Sequence, residues 1–292
     1  MAGPVLGIIG GSGFYEMDGI EGLQATELET PFGKPSDPFY RGRLGDCEVI
    51  FLARHGRGHR LMPTEINFRA NVYGMKLLGA QYLVSVSTAG SLREELAPGE
   101  LVVADQFIDR TFQRAATFFG NGIVAHVSMA DPVCRWLSDN LVRAANQAQV
   151  RAHRGGTYLC IEGPQFSSRA ESRLFRAWGA DVISMTAVQE ARLAREAELC
   201  YALLVLVTDY DCWHDSAGAV DIGEVIRVMR QNVERAKGVV AALARALDGK
   251  PPPCGCAGAL RDAIVTDPAL VPAARAAELR VLIGKYLAPA SR

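Results

Sequence analysis

The first seven residues of Tyr201–Trp213, Tyr-Ala-Leu-Leu-Val-Leu-Val, are apolar without a polar interruption. A run of that length, rich in branched side chains and lacking alternation, predicts a strand buried on both faces, as inside an α/β sheet. It stops at Thr208, and two carboxylates, Asp209 and Asp211, follow on either side of Tyr210. Carboxylates just past the carboxyl end of a buried strand sit where open α/β sheets place their ligands. In an extended Asp209–Asp211 both side chains would leave on one face, because the strand period is two. A turn or helix-cap role accounts for the same residues.

Shorter apolar runs predict further strands at Val5–Ile9, Glu48–Ala53, Tyr82–Ser87, Leu101–Phe107, Gly156–Ile161 and Asp181–Ser184. Between them, apolar positions at helical spacing predict helices over Asn67–Leu78, Asp131–Gln147, Arg169–Gly179, from Thr186 to about Leu199, and over Ile222–Leu247. Pro251–Pro253 breaks the last of these, and two short helical segments, Ala257–Ile264 and Ala273–Tyr286, finish the chain. The organisation expected is one α/β domain over residues 1–249. Residues 250–292 form a Pro/Cys linker and a C-terminal helical extension packed on the same domain. There is no internal repeat, and Lys250–Gly258 is the clear linker.

Composition narrows the function classes. The chain has 292 residues, 49% hydrophobic and 22% charged, with a formal net charge of -1, enough for a large core. Near-neutral charge without a Lys/Arg block argues against a nucleic-acid surface. The start, Met-Ala-Gly-Pro followed by Val5–Ile9, lacks the basic and longer apolar stretches of a signal peptide. No apolar run approaches the ~20 residues needed to span a bilayer. A cytoplasmic protein is expected.

Of seven cysteines, Cys47, Cys134, Cys160, Cys200 and Cys212 sit mostly among apolar neighbours and read as small core residues. Cys254 and Cys256, in Pro-Pro-Pro-Cys-Gly-Cys, stand in the linker. Such a pair suits a metal or a strained disulfide, but no second cysteine pair or His cluster offers the remaining zinc ligands. No metal is therefore expected; a redox-sensitive clip and an inert turn stay open.

The strand ends hold the candidate chemistry. Gly10-Gly-Ser-Gly13 lets backbone amides approach a ligand, and Ser12 adds a hydroxyl, which suits an anion. Its spacing is not that of the dinucleotide fingerprint, the P-loop or the nucleophile elbow. Arg54-His55-Gly56-Arg57-Gly58-His59-Arg60 follows the Glu48–Ala53 strand. Gly56 and Gly58 disfavour the helix that would bring His55 and His59 together on a metal. A strand-end loop presenting the Arg54 guanidinium bidentately to an oxyanion fits better, with a solvated surface loop as the alternative. Thr88-Ala-Gly-Ser91 is a third small, hydroxyl-rich strand end. Three such loops converging predict a phosphate pocket. Phe166, in a Gly/Pro-bent polar segment, is free to stack on a flat ligand, and Thr186 suits either an anion or a helix cap.

Gly10-Gly-Ser-Gly13, Arg54-His55-Gly56, Ser91-Leu-Arg-Glu-Glu95, Ile161-Glu-Gly-Pro164, Phe166-Ser-Ser-Arg-Ala-Glu-Ser172 and Thr208-Asp-Tyr-Asp-Cys-Trp213 occur in that order. Together, over about Val5 to Leu247, they resemble the 5′-methylthioadenosine phosphorylases of the purine nucleoside phosphorylase superfamily. The resemblance implies a single-domain nucleoside-phosphorylase fold, with a central mixed and partly closed sheet flanked by helices. It also implies a homo-trimer, or a hexamer built from trimers. Phosphate would be held by Ser12, Arg54, His55, Ser87, Thr88 and Thr186. Met185 would lie against the ribose and Phe166 against the base, with Ser167 and Ile222 also in the substrate site. Asp209 and Asp211 would address the purine edge. His126 matches a histidine that caps the 5′ pocket of the neighbouring subunit. Two features depart from the family: its Ala-Cys-Gly-Ser reads Thr88-Ala-Gly-Ser91 here, and the tail with Cys254-Gly-Cys256 occurs in only some relatives. The tail residue lining the 5′ pocket, with Leu282 as a candidate, is therefore left open.

The implied reaction is phosphorolysis of the N-glycosidic bond of 5′-methylthioadenosine, giving adenine and 5-methylthioribose 1-phosphate. It needs an anionic nucleophile on one side of an oxocarbenium-like carbon and a proton donor to the leaving base on the other. Asp209, with a raised pKa, is the expected donor to N7, and an ionised Asp211 the acceptor from a 6-amino group. Inorganic phosphate is a co-substrate, and no cofactor is expected. Other purine nucleosides, or hydrolysis by water, are the alternatives.

Overall fold

The computed structural model describes residues 3–214 and 222–287, apart from the side chains of Ser12, Ile222, Glu224 and Val225. In chain order the strands are β1 (Val5–Gly10), β2 (Glu21–Thr26), β3 (Phe39–Leu44), β4 (Cys47–Ala53), β5 (Tyr82–Ser91), β6 (Leu101–Ala104), β7 (Gln106–Arg110), β8 (Ala152–Arg154), β9 (Thr157–Ile161), β10 (Val182–Ser184) and β11 (Cys200–Asp209). The helices are α1 (Phe68–Leu77), α2 (Arg135–Gln147), α3 (Arg169–Ala177), α4 (Ala187–Glu196), α5 (Ile222–Ala246), α6 (Ala273–Glu278) and α7 (Arg280–Leu287). All eleven strands join one mixed sheet flanked by helices. None of the described helices is long and apolar enough to cross a membrane.

The apolar run around Leu203 forms the middle of this sheet, with β11 parallel to β5 on one edge and antiparallel to β6 on the other. Its side chains alternate between two cores. Tyr201, Leu203, Val205 and Val207 pack with α1, α4 and the C-terminal helices, while Ala202, Leu204 and Leu206 pack with α2 and α5. Burial on both faces explains why no polar residue interrupts the run, each large side chain contributing about 1.5–3 kcal/mol. The C-terminal segment joins the first core through Leu260, Leu279, Leu282 and Ile283.

The sheet forks along β5. β11 occupies one edge of β5 throughout. The other edge pairs with β1 at Tyr82–Ser85 and with the antiparallel β10 at Gly90 and Ser91. Between those partners the Val86 and Thr88 carbonyls face a gap, since alternate carbonyls share an edge. Side chains fill the pairing: Arg54 Nη1 donates to Val86 O at 2.8 Å, and Ser184 Oγ to Thr88 O at 2.6 Å.

Several sequence expectations need correction. Thr88–Ser91 is a continuation of β5, not a loop, because β11 and β10 supply ladder partners for its small residues. Leu101–Phe107 is not one strand: it breaks at Asp105, sending β6 to β11 and β7 to β9. Ala257–Ile264 holds a single 3-10 turn at Cys256–Gly258, and Ala273–Tyr286 divides at Leu279 into α6 and α7. Asp209–Asp211 is not extended either, for Asp211 has φ 51° and opens a short 3-10 turn.

Candidate active site

β1, β4, β5 and β11 are mutually parallel, so their carboxyl ends lie on one side of the sheet. Gly10, Arg54, Val86–Gly90 and Asp209 therefore gather there, at the mouth of the gap between β1 and β10. Open α/β sheets bind ligands at such breaks in strand order.

Arg54 is only 4% exposed and Glu190, on α4, is fully buried. Arg54 Nε donates to Glu190 Oε1 at 2.6 Å and Nη2 to Oε2 at 2.8 Å, while Nη2 also reaches Ile9 O at 3.3 Å. Ser85 Oγ donates to the same carboxylate at 2.5 Å. Burial acts to lower the Arg54 pKa, but the Glu190 carboxylate more than offsets it and holds the guanidinium above its ordinary value. The fork expected to grip an oxyanion bidentately is thus turned on Glu190. With one donor also on Val86 O, a single Nη1 proton remains outside these four bonds.

His55 Nδ1 donates to Leu61 O at 2.8 Å, and its ring stacks on His59 at 4.1 Å. Burial, with Arg54, His59 and Arg114 adding positive charge nearby, lowers its pKa to about 4. The neutral ring therefore has its proton on Nδ1 and a lone pair on Nε2. Across the gap, Ser87 Oγ lies 3.1 Å from Tyr158 OH and 3.3 Å from Ser184 Oγ. Tyr158 OH accepts from the N–H groups of Thr186 and Ala187, both at 3.4 Å. Those amides open α4, and Thr186 is its buried N-cap without a side-chain cap bond. A helix start lined with hydroxyls is a setting for an anion. Thr88 presents a half-buried side chain beside these groups.

The carboxylates stand at the other side of the mouth. Asp209 accepts from Asp211 N–H at 2.8 Å and from Thr208 Oγ1 at 2.7 Å. Asp211 is 5% exposed and accepts from Ser172 Oγ at 2.5 Å. Desolvation pushes the Asp211 carboxyl up, against the Ser172 hydroxyl and a backbone N–H, with the Asp209 charge adding to the rise. The rise falls on Asp211, which the sequence reading took as the ionised acceptor. A glycine at position 90 makes room for the pair: a Cβ there would sit 2.9 Å from Asp209 Oδ1 and 3.3 Å from Asp211 Cβ. From Val86, which receives Arg54, to Gly90 is four residues of β5, about 13 Å at 3.3 Å per residue.

Segment 163–172 flanks Asp211. Cys212 Sγ donates to Ser167 O at 3.3 Å, and Arg169 Nη1 to Cys212 O at 3.0 Å. Phe166 is 66% exposed, while the neighbouring Ser167 Oγ is buried with no hydrogen-bond partner. Met185 packs on Gly163, whose absent Cβ would come within 2.5 Å of the Met185 sulfur. Gly163 also adopts φ 67°, open to glycine at little cost.

Sequence reasoning missed the supports. Arg114 is buried and donates to Glu162 Oε1 at 3.0 Å, to Gln189 Oε1 at 3.2 Å, and to the carbonyls of Glu162 and Met185. It pins the Met185 turn to the end of β9. A lone arginine between elements gives no sequence signal of this. His126 is exposed on a loop held by the C-terminal segment, its N–H donating to Ala263 O at 2.8 Å. Leu282 is 2% exposed within its own chain's core. The side chains of Ser12 and Ile222 fall outside the described residues.

Among the described residues, the single grouping suited to a metal is remote from this mouth. Cys134, Cys200, Cys254 and Cys256 place their sulfurs within 4.8 Å of one another. This corrects the expectation that the Cys254–Cys256 pair lacks further ligands, since two cysteines assigned to the core complete the set. Cys200 begins β11 and Asp209 ends it, about 30 Å away at 3.3 Å per residue.

The sequence profile of the phosphorylase superfamily matches residues 5–245. An S-methyl-5′-thioadenosine phosphorylase from Geobacter sulfurreducens is 54% identical over 284 residues, covering 97% of this chain and 99% of that one. A crystal structure of a methylthioadenosine phosphorylase from an antarctic soil metagenomic library superposes with a TM-score of 0.92 at 45% identity, over 97% of this chain and 99% of the other. A variant of adenosine/methylthioadenosine phosphorylase from Schistosoma mansoni, in complex with methylthioadenosine, superposes with a TM-score of 0.78 at 36% identity, over 83% of this chain and 91% of that one.

Proposed function

The chain belongs to the phosphorylase superfamily and, within it, to the S-methyl-5′-thioadenosine phosphorylases, and from that membership we propose how its residues divide the reaction. The enzyme is a pentosyltransferase: it phosphorolyses 5′-methylthioadenosine to adenine and 5-methylthioribose 1-phosphate. A phosphate oxygen bonds to C1′ as the C1′–N9 bond breaks. The electron pair of that bond passes into the purine, which takes up a proton at N7.

Phosphate lies at the gap between β1 and β10, against Ser87, Thr88, Thr186 and the Gly10–Gly13 turn with Ser12. Arg54 acts there through its charge and its remaining Nη1 proton, with Glu190 holding it in place. His55, protonated on Nδ1, offers Nε2 as an acceptor for the hydroxyl of hydrogen phosphate. Met185 meets the ribose and Phe166 the base, with Ser167 and Ile222 beside them. The buried Ser167 hydroxyl, which has no hydrogen-bond partner within the chain, supports that placement. Burial, with the Asp209 charge beside it, makes the Asp211 carboxyl hold its proton to higher pH. The pair Asp209 and Asp211 is therefore the proton source, Asp209 addressing N7 and Asp211 accepting from the 6-amino group. No metal or organic cofactor enters the chemistry.

The observation that carries this reading is the hydrogen-bonded carboxyl pair at the end of β11, Asp211 buried and Asp209 half-buried, four residues of β5 from the Arg54 contact. A role in methionine and purine salvage, a cytoplasmic location, and a trimer or hexamer in which His126 serves a neighbouring subunit belong to the same proposal. Asp211→Asn tests it. Kinetics on matched 6-amino and 6-oxo nucleosides should show their kcat/KM ratio falling about 100-fold or more, since a mismatched buried partner is strongly rejected. Equal losses on both would remove Asp211 from base recognition.

A further inference from the structure

The four cysteine sulfurs come from three separated parts of the fold. Cys134 caps the N-terminus of α2, Cys200 begins β11, and Cys254 and Cys256 follow the proline run. Cys134, Cys200 and Cys256 are 2%, 4% and 5% exposed, and Cys254 is half-buried. All four are free thiols, and the Cys200 and Cys254 sulfurs are 3.4 Å apart.

Two disulfides would need only two close pairs, each at about 2.05 Å. Here every sulfur is near every other, the arrangement of donors around one centre. Tetrahedral zinc with bonds of about 2.3 Å sets its sulfurs about 3.8 Å apart, inside the 4.8 Å limit seen here. A cation also stands beside the sulfurs. Arg195 Nη1 approaches Cys256 Sγ at 3.9 Å. A cavity of about 890 Å³, bordered by Arg135, Arg154, Arg195, Asp139 and Cys254, gives an ion a way in.

We propose that Cys134, Cys200, Cys254 and Cys256 form a tetrathiolate zinc site that fastens the C-terminal segment to the start of β11 and the head of α2. Binding releases four thiol protons and leaves a complex of charge −2, which Arg195 and the amide end of α2 offset. No fifth position is needed, so the ion is structural rather than catalytic. The prolines at 251–253 supply no N–H of their own to hold this stretch, so ties through the Cys254 and Cys256 side chains carry more of its anchoring.

The test is metal analysis of the full-length protein, expressed with zinc and purified without chelator under reducing conditions, then freed of reductant anaerobically. About one zinc per chain is expected, with seven titratable thiols after denaturation in chelator. Cobalt substituted for the zinc should give the visible absorption of a tetrahedral tetrathiolate. Cys254→Ser, at the most exposed ligand, should weaken zinc binding about 100-fold or more, beyond the usual loss for an outer-shell change. The same variant should keep kcat within twofold at 25 °C while losing thermal stability. Cys47→Ala, buried outside the cluster, should retain the metal. Absence of zinc, or three thiols in place of seven because two disulfides have formed, overturns the proposal; so does a Cys254→Ser variant that binds zinc as the parent does.

Discussion

Glu190→Gln probes the anchor of the phosphate side. In the parent, the Glu190 carboxylate accepts from Arg54 at 2.6 and 2.8 Å and from Ser85 at 2.5 Å, all away from solvent. A glutamine offers one acceptor oxygen in place of two, and its NH₂ would meet an Arg54 or Ser85 donor. Arg54 would then keep its charge at 4% exposure with the Val86 and Ile9 carbonyls and at most one amide oxygen as partners, none of them negatively charged. Removing one partner of a buried pair typically costs about 3–5 kcal/mol, because the remaining ion is uncompensated. That is a large part of the roughly 5–15 kcal/mol that holds a domain folded. Urea unfolding in phosphate-free buffer should show this loss. Added phosphate should then recover stability by more in the variant than in the parent, since an anion at the gap replaces the missing negative charge. A loss under about 1 kcal/mol would make the pair no stronger than a surface ion pair and refute the burial reasoning. An equal phosphate effect in both proteins would detach Arg54 from the anion site.

Glu196→Gln gives a pH signature. Burial raises the Glu196 carboxyl from 4.5 to about 7, against hydrogen bonds from Phe118 N–H and Thr117 Oγ1. The unfolded chain releases this proton at lower pH than the folded chain, so the parent loses up to about 3 kcal/mol of stability as pH rises through that window. The variant lacks this term, so the stability difference, variant minus parent, should rise across the window and level off above it; parallel profiles would contradict the assignment. Gly90→Ala places a Cβ 2.9 Å from Asp209 Oδ1 and should lower kcat/KM by about 10- to 100-fold by displacing the carboxyl pair, with the fold intact by circular dichroism. Unaltered kinetics would show that the pair tolerates the shift.

Legibility in the sequence followed where each residue's partners lie. Long apolar runs such as Val5–Gly10, Cys47–Ala53 and the core of β11 announce themselves, because a residue buried on both faces must be apolar whatever lies beside it. β2 does not: five of its six residues are exposed at the sheet edge, and its strand partner is β3. Thr88–Ser91 looked like a loop because its residues are small and hydroxylic, yet it stays extended through neighbours more than ninety residues away. The site motifs were legible as local strings, whereas their supports were not. The Arg54–Glu190 pair spans 136 positions, and the four cysteines are scattered between 134 and 256. The neutral, Nδ1-protonated form of His55 likewise depends on its burial and the Leu61 carbonyl.

The central claim is tested most directly by product analysis with 5′-methylthioadenosine, with and without inorganic phosphate. Adenine should appear in step with 5-methylthioribose 1-phosphate, and its release should fall to background when phosphate is withheld. Adenine released together with the free sugar, at an undiminished rate without phosphate, would contradict the account.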